Sequence, residues 1–187
     1  DYGRKSPFSS FLPGISGRKG IPVWCHYVNR GQCIASFGVE DKNHSIMEYC
    51  PAHQSYQNVQ RTGFRTFLKV NGRYEEAFRN ENHLMTMDIG MNTLSIIEKN
   101  KTSGLEIEVT YFTLPNEKAG GLVRKLTVCN TGDETLHIEL ADGMPAVIPF
   151  GVSLESIKEM GQTAKAWMEV LNHQEGVPFF HVRASME

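Results

Sequence analysis

No stretch of this sequence is apolar for long enough to cross a bilayer as a helix, and no basic-then-apolar leader opens it. A membrane partner is therefore not expected, and the cytoplasm is the expected location. Positive charge is scarce too: 19 Lys and Arg against 21 Asp and Glu leave a net charge of -2. Such a balance supplies no field to hold a phosphate backbone, which argues against nucleic acid as a partner. The four cysteines (Cys25, Cys33, Cys50 and Cys129) are too few for a disulfide-dense secreted scaffold. Three of them sit among strand-like residues and read as buried, reduced thiols.

Chemical motifs are equally sparse. The chain has no Gly-rich phosphate loop followed by Lys-Ser/Thr, no G-x-S-x-G elbow and no H-E-x-x-H helix. Gly17 to Gly20 (GRKG) reads as a solvated loop rather than a phosphate cradle. Cys50 and His53 have C-x-x-H spacing, with Cys25, His26 and Cys33 nearby, but the paired C-x-x-C spacing of a zinc site is missing, so no metal is expected. Glu40, Asp41, Glu48, Glu75, Glu76 and Asp142 are scattered along the chain. Glycoside chemistry commonly needs two carboxyls roughly 5–10 Å apart, and sequence places no such pair here. No internal repeat and no low-complexity segment breaks the pattern.

What is present is a chain of 187 residues, 40% hydrophobic and 21% charged, enough to bury a core and ordinary for one globular domain. The opening Phe8 to Ile15, with Pro7, Pro13 and Gly14, is extended or looped. Pro22 to Arg30 and Gln32 to Val39 read as a hairpin turning at Asn29-Arg30-Gly31-Gln32. Gly63 to Val70 and Arg73 to Phe78 flank Asn71-Gly72, the signature of a tight type I′ turn. Thr93 to Lys99 pairs with Leu105 to Phe112 across residues 100–104. In that return strand Leu105, Ile107, Val109 and Tyr111 alternate with polar residues, giving one dry face and one wet face. A fourth hairpin is expected from Leu122 to Cys129, a turn at Asn130 to Asp133, and Glu134 to Leu140. Leu136, Ile138 and Leu140 face one way in it, His137 and Glu139 the other.

The period changes once. From Ser153 to Leu171 the apolar residues Leu154, Ile157, Met160, Ala164, Trp167, Val170 and Leu171 fall at helical spacing. Ser153 is the expected N-cap, Gly161 is expected to bend or divide the helix, and Trp167 reads as a packing residue rather than a sugar platform. Short strands joined by frequent turns, without βαβ alternation, predict an all-β sandwich or barrel. The lack of an initiator Met before Asp1 and a strand only begun at Phe179 to Ala184 lead us to expect a piece of a longer protein. Two sequons, Asn43-His44-Ser45 and Asn100-Lys101-Thr102, matter only in a glycosylating pathway.

The densest polar-aromatic stretch runs from Trp24 to Arg65 and includes His26, Tyr27, Asn29, Arg30, Tyr49, His53 and Tyr56. Rings that cover C–H patches and planar groups that hydrogen-bond vicinal hydroxyls are the ingredients of sugar sites. Phe11-Leu-Pro-Gly-Ile15, Pro22-Val-Trp-Cys-His-Tyr-Val-Asn-Arg-Gly-Gln32, Ala35-Ser-Phe-Gly-Val-Glu40 and Gly63-Phe-Arg-Thr-Phe67 resemble the start of cellobiose phosphorylase-like proteins. These are glycoside hydrolase family 94 and neighbouring β-glucan phosphorylase families. Lys158-Glu-Met160 and Ala166-Trp-Met-Glu-Val170 resemble the segment such proteins carry before their sandwich ends.

The resemblance implies an antiparallel super-β-sandwich of the galactose mutarotase type over residues 1–187, with one helical segment near 153–171, followed in the parent by a helical linker and an (α/α)₆ barrel. It implies an inverting glycoside phosphorylase (a hexosyltransferase) acting on a β-linked glucan or gluco-oligosaccharide, with inorganic phosphate as co-substrate and no other cofactor. An Asp on the barrel protonates the glycosidic oxygen while phosphate attacks the anomeric carbon from the opposite face. Phosphate is already anionic, so no second carboxylate has to activate a nucleophile. This chain has no room for the barrel, holds no catalytic residue and is expected to be inactive alone. In the resembling enzymes the sandwich packs on the barrel and helps to wall the active site, in some across a homodimer. His53, Tyr56 and Arg65, taken as loop residues, are the candidates for a glucan cleft; the alternative for each is a buried network or an interdomain contact. Two other functions compete with this one: a stand-alone carbohydrate-binding module with an exposed aromatic platform, and a structural sandwich whose apolar face a partner domain covers.

Overall fold

The computed structural model describes residues 1–79, 82–145, 150–152, 154–176 and 179–182. The chain forms two compact units, Asp1–Val147 and Ile148–Glu187. The described residues are predominantly antiparallel β with few helices. In the first unit β1 (Ser9–Ser16), β2 (Ile21–Val28) and β3 (Ile34–Val39) form one sheet, and α1 (Ala52–Thr62) follows. β4 (Arg65–Val70) and β5 (Arg73–Glu76) come next, then β6 (Leu84–Ile89), β7 (Thr93–Asn100), β8 (Leu105–Thr113), β9 (Leu122–Asn130) and β10 (Ile138–Gly143). β6 to β9 form a four-stranded meander, and β10, β4 and β5 form a third sheet in that order.

Turn chemistry explains where the chain reverses. Asn71 and Gly72 both take positive φ, 47° and 86°, as the tight turn between Val70 and Arg73 requires. The expected pairings of β2 with β3 and of β7 with β8 also form. A register shift at His26/Tyr27 lets Ile34 and Phe37 both face the core across one extra residue.

Inward-facing side chains from all three sheets share one core. Leu12, Val23, Cys25, Tyr27, Ile34, Leu68, Leu94, Ile96, Leu105, Ile107, Val109 and Tyr111 belong to it. The alternation along β8 is complete: Leu105, Ile107, Val109 and Tyr111 are buried, and the residues between them are half-buried. Each such apolar side chain contributes on the order of 1.5–3 kcal/mol when fully buried. Glu98 continues the inward row of β7. Its carboxylate accepts from the Phe78 amide and pairs with His83 Nδ1, so the buried charge has partners.

Arg124 of β9 clamps the sheets together. Its guanidinium pairs with Asp142 of β10 and with Gln32 Oε1, donates to Thr66 Oγ1 of β4 at 3.2 Å, and lies over Phe64 at 5.0 Å. Thr66 in turn donates to Asp142 at 2.6 Å, and the Tyr111 hydroxyl donates to the Gln32 carbonyl at 2.8 Å.

Two expectations are corrected. The fourth hairpin does not form, because β9 pairs with β8 and β10 with β4, Ile138 lying opposite Val70. Asn130 folds its side chain onto its own loop, accepting from the Gly132 amide at 3.1 Å and donating to the Glu134 carbonyl at 2.8 Å. The Thr131 amide binds the Gly104 carbonyl at 2.7 Å, which draws the loop to the β7–β8 turn. Asn71 then receives His137 through both its backbone and its side chain, and Leu136 and Ile138 pack against the shared core.

The helical segment expected over 153–171 stops short of its end, since residues 168–171 are a strand. In the second unit α2 (Leu154–Glu159) and α3 (Gly161–Trp167) are separate, as the weak helix former Gly161 predicts, and β11 (Met168–Leu171) follows directly. β11 pairs antiparallel with β12 (Phe179–Val182), which satisfies peptide groups that a fraying helix end would leave open. Ser153 lies outside the described residues, as does the side chain of Trp167. Among the described residues, no helix is long and apolar enough to cross a membrane.

Candidate functional site

β1 carries large apolar side chains on both faces. Leu12 enters the core, while Phe11 and Ile15 point the other way and remain 48% and 63% exposed. A strand covered on one side only normally presents polar residues outward, so these exposed apolar side chains stand out. Cross-strand register sets Phe11 beside His26 and Pro13 beside Trp24. Trp24 in turn stands opposite Gly38 of β3. A Cβ there would come within 2.8 Å of the indole and 2.5 Å of the His44 carbonyl, so only glycine admits both. The indole N–H donates to the Asp41 carbonyl at 3.0 Å and fixes the ring.

The chain after β3 folds back along its edge, with the Ile46 amide bound to the Phe37 carbonyl at 2.9 Å and Ser36 Oγ donating to the Met47 carbonyl at 3.0 Å. Tyr49 is thereby carried over the outer face. Its ring centroid lies 6.0 Å from Phe11, 5.7 Å from Trp24 and 5.2 Å from His26. Phe11 lies 6.0 Å from Trp24 and 5.1 Å from His26, so four rings form one cluster. His26 at its base is 2% exposed, and its Nδ1 is buried without a hydrogen-bond partner. Burial lowers its pKa from the ordinary 6.5, which keeps the ring neutral at physiological pH. This surface offers the exposed ring of Phe11 and the half-buried rings of Trp24 and Tyr49, with His26 and its Nδ1 buried beneath them.

The residues expected to form a cleft stand elsewhere. His53 and Tyr56 belong to α1, not to a loop, and Arg65 opens β4. The sequence AHQSYQNVQRT has no apolar stripe, since Ser55 and Val59 are its buried residues, and for that reason its helix is not visible in hydrophobic periodicity. His53 is exposed; Tyr56 lies under the Arg30 guanidinium, 4.3 Å from the ring centroid, with its hydroxyl buried and unpartnered. Arg65 binds Glu76 in a fork at 2.7 and 2.8 Å and stacks on Phe67 at 4.7 Å. The ring cluster includes none of the three. Others of the stretch serve structure: Tyr27 is core, and Asn29 ties the amino-terminal turn through Phe8, Ser6 and Tyr2. Phe11 is a ring of the cluster that residue type alone did not single out; the signal is its alternation with Leu12, which places Phe11 and Ile15 on the outward face of β1.

Cys25 and Cys33 are buried thiols, and burial pushes Cys25 up to about 12 and Cys33 higher still; Cys50 is half-buried and Cys129 exposed. Among the described residues, no three His, Cys, Asp or Glu side chains converge as a metal-ligand set. Compared with known proteins, the chain matches no family model and no curated protein sequence.

Proposed function

We propose that this chain is the amino-terminal domain, a super-β-sandwich of the galactose mutarotase type, of an inverting β-glucan phosphorylase in the cytoplasm. In this reading the parent converts a β-linked glucan and phosphate to glucose 1-phosphate and a shortened glucan, with the general acid on a helical barrel beyond this chain. One observation carries the reading. The segments that resemble such enzymes, Phe11–Ile15, Pro22–Gln32 and Ala35–Glu40, build a single sheet whose outer face is aromatic. A face of that kind is suited to meet a partner domain or a sugar ring.

The test is phosphate release from glucose 1-phosphate by the longer protein, offered glucose and β-linked disaccharides as acceptors. Release with one acceptor is expected and identifies the linkage. Silence from a folded protein that includes the barrel rejects the reading. A stand-alone carbohydrate-binding module is the second reading, favoured by the exposed Phe11 ring beside the half-buried Trp24 and Tyr49. It requires saturable glucan binding by this chain that Phe11→Ala and Trp24→Ala abolish, and no phosphorolysis by any longer form.

A further inference from the structure

A second candidate site lies away from the aromatic face. The β4–β5 turn, the β7–β8 turn and the loop between β9 and β10 enclose a cleft of about 720 Å³. Small-ligand sites span roughly 300–1,000 Å³, so the size is ordinary for one. Three asparagines, one on each connection, hold its walls. Asn71 accepts from the His137 amide at 2.9 Å, and Asn130 closes its own loop. Asn100, 4% exposed, accepts from the Thr102 and Ser103 amides at 3.0 and 3.1 Å and donates to Glu75 Oε2 at 3.3 Å. The walls are therefore preorganised, and a ligand would meet loops already in place.

Within this frame two groups call for explanation. Ser103 is a half-buried residue of the cleft lining, and its Oγ is buried without a hydrogen-bond partner. Orphaned buried hydroxyls are rare in native structures because each forfeits its hydration. Glu75 projects from β5 into the same space, held by Asn100. Burial raises its pKa, the Glu98 carboxylate adds to the rise, and His83 and the Asn100 hydrogen bond oppose it. Arg73 and Lys101 stand against Glu75, Asp133 and Glu134 around the opening, so neither sign of charge dominates. A strongly ionic ligand is disfavoured by that balance. A neutral ligand with many hydroxyls is suited to it: carboxylate and guanidinium groups bind hydroxyls in pairs, and the Val70 and Leu136 side chains supply an apolar patch.

We infer that this cleft is a binding site for a short run of β-linked glucose units, separate from the aromatic face and serving to hold glucan rather than to cleave it. The site rests on its own geometry; the choice of β-glucan as ligand rests on the proposed function. The test is titration of the 187-residue chain with β-1,3- and β-1,4-linked glucotetraoses, followed by amide NMR shifts. Maltotetraose, its α-linked counterpart, serves as the control.

Shifts clustered at residues 71–75, 100–104 and 130–136 are expected with a β-linked tetraose. Ser103→Ala is expected to weaken binding about fivefold, the loss of one hydrogen bond. Glu75→Gln should weaken it at least as much, while Phe11→Ala should leave it unchanged. Shifts confined to the aromatic face overturn this site and leave the proposed function standing, as does binding that both cleft variants retain. Absence of any shift overturns the site as well. If the cleft amides move while the longer protein shows no phosphorolysis, the phosphorylase assignment fails and the site stands.

Discussion

Among single residues, Arg124 and His26 illustrate opposite ways of accommodating a polar group. Arg124, with a side chain only 8% exposed, spends its guanidinium on Asp142, Gln32 and Thr66. Arg124→Ala would leave the Asp142 carboxylate with Thr66 alone, and because Asp142 is exposed the expected cost is about 1.5–3 kcal/mol, read from the urea denaturation midpoint. His26 instead sits in a ring cluster that lowers its pKa below 6.5. The unfolded chain then binds a proton that the native state refuses, so stability falls as pH drops below about 6.5 and is regained above it. His26→Phe fills the same space without titrating and should flatten the stability profile between pH 5 and 7. An unchanged slope in that variant would assign the dependence to another group. Neither role was legible from residue type. The Trp24 to Arg65 stretch was visible as sugar-competent in composition, yet composition does not say that Tyr27 turns inward, that Arg65 is bound to Glu76, or that Tyr49 closes over His26.

Elements were far more legible where the determining chemistry is local. Asn71-Gly72 specifies its turn through two positive φ angles, and nothing lies within 4 Å of a Cβ built at Gly72. Gly72→Ala therefore tests backbone conformation alone. It is expected to destabilise the protein by about 1–2 kcal/mol in equilibrium unfolding, with the amide shifts of β8 and β9 unchanged. The dry face of β8 follows from a period of two, and the break before α3 follows from Gly161. Elements whose cause is not local were misread. The helix α1 carries only Val59 as a buried apolar anchor, so it is stabilised by what it packs against and by its ends: Pro51 at the start, and the Gly63 amide bound to the Val59 carbonyl at 3.0 Å. Residues 168–171 continue a helical apolar pattern and are nonetheless a strand, because Phe179–Val182 pairs with them.

For the whole molecule, the hydrophobic core cluster lies, among the described residues, within Asp1–Val147. A chain ending at Val147 is therefore expected to fold by itself and unfold in one cooperative transition, checked by circular dichroism against urea. Loss of that transition would show that residues 148–187 are needed for this core. At this scale the division between sequence and structure has a physical basis. Turn signals and alternation act over a few residues, so three hairpins (β2–β3, β4–β5 and β7–β8) and the predominance of β structure were determined by the sequence alone. Partner choice between distant segments depends on which faces can share one core and which loops can bind one another. Tertiary structure alone decided that β10 joins β4 instead of β9, that Phe11, Trp24, His26 and Tyr49 meet on one outer face, and that Ser103 and Glu75 line the same cleft. Each of those outcomes joins residues that no local propensity connects, and packing, not spacing, brought them together.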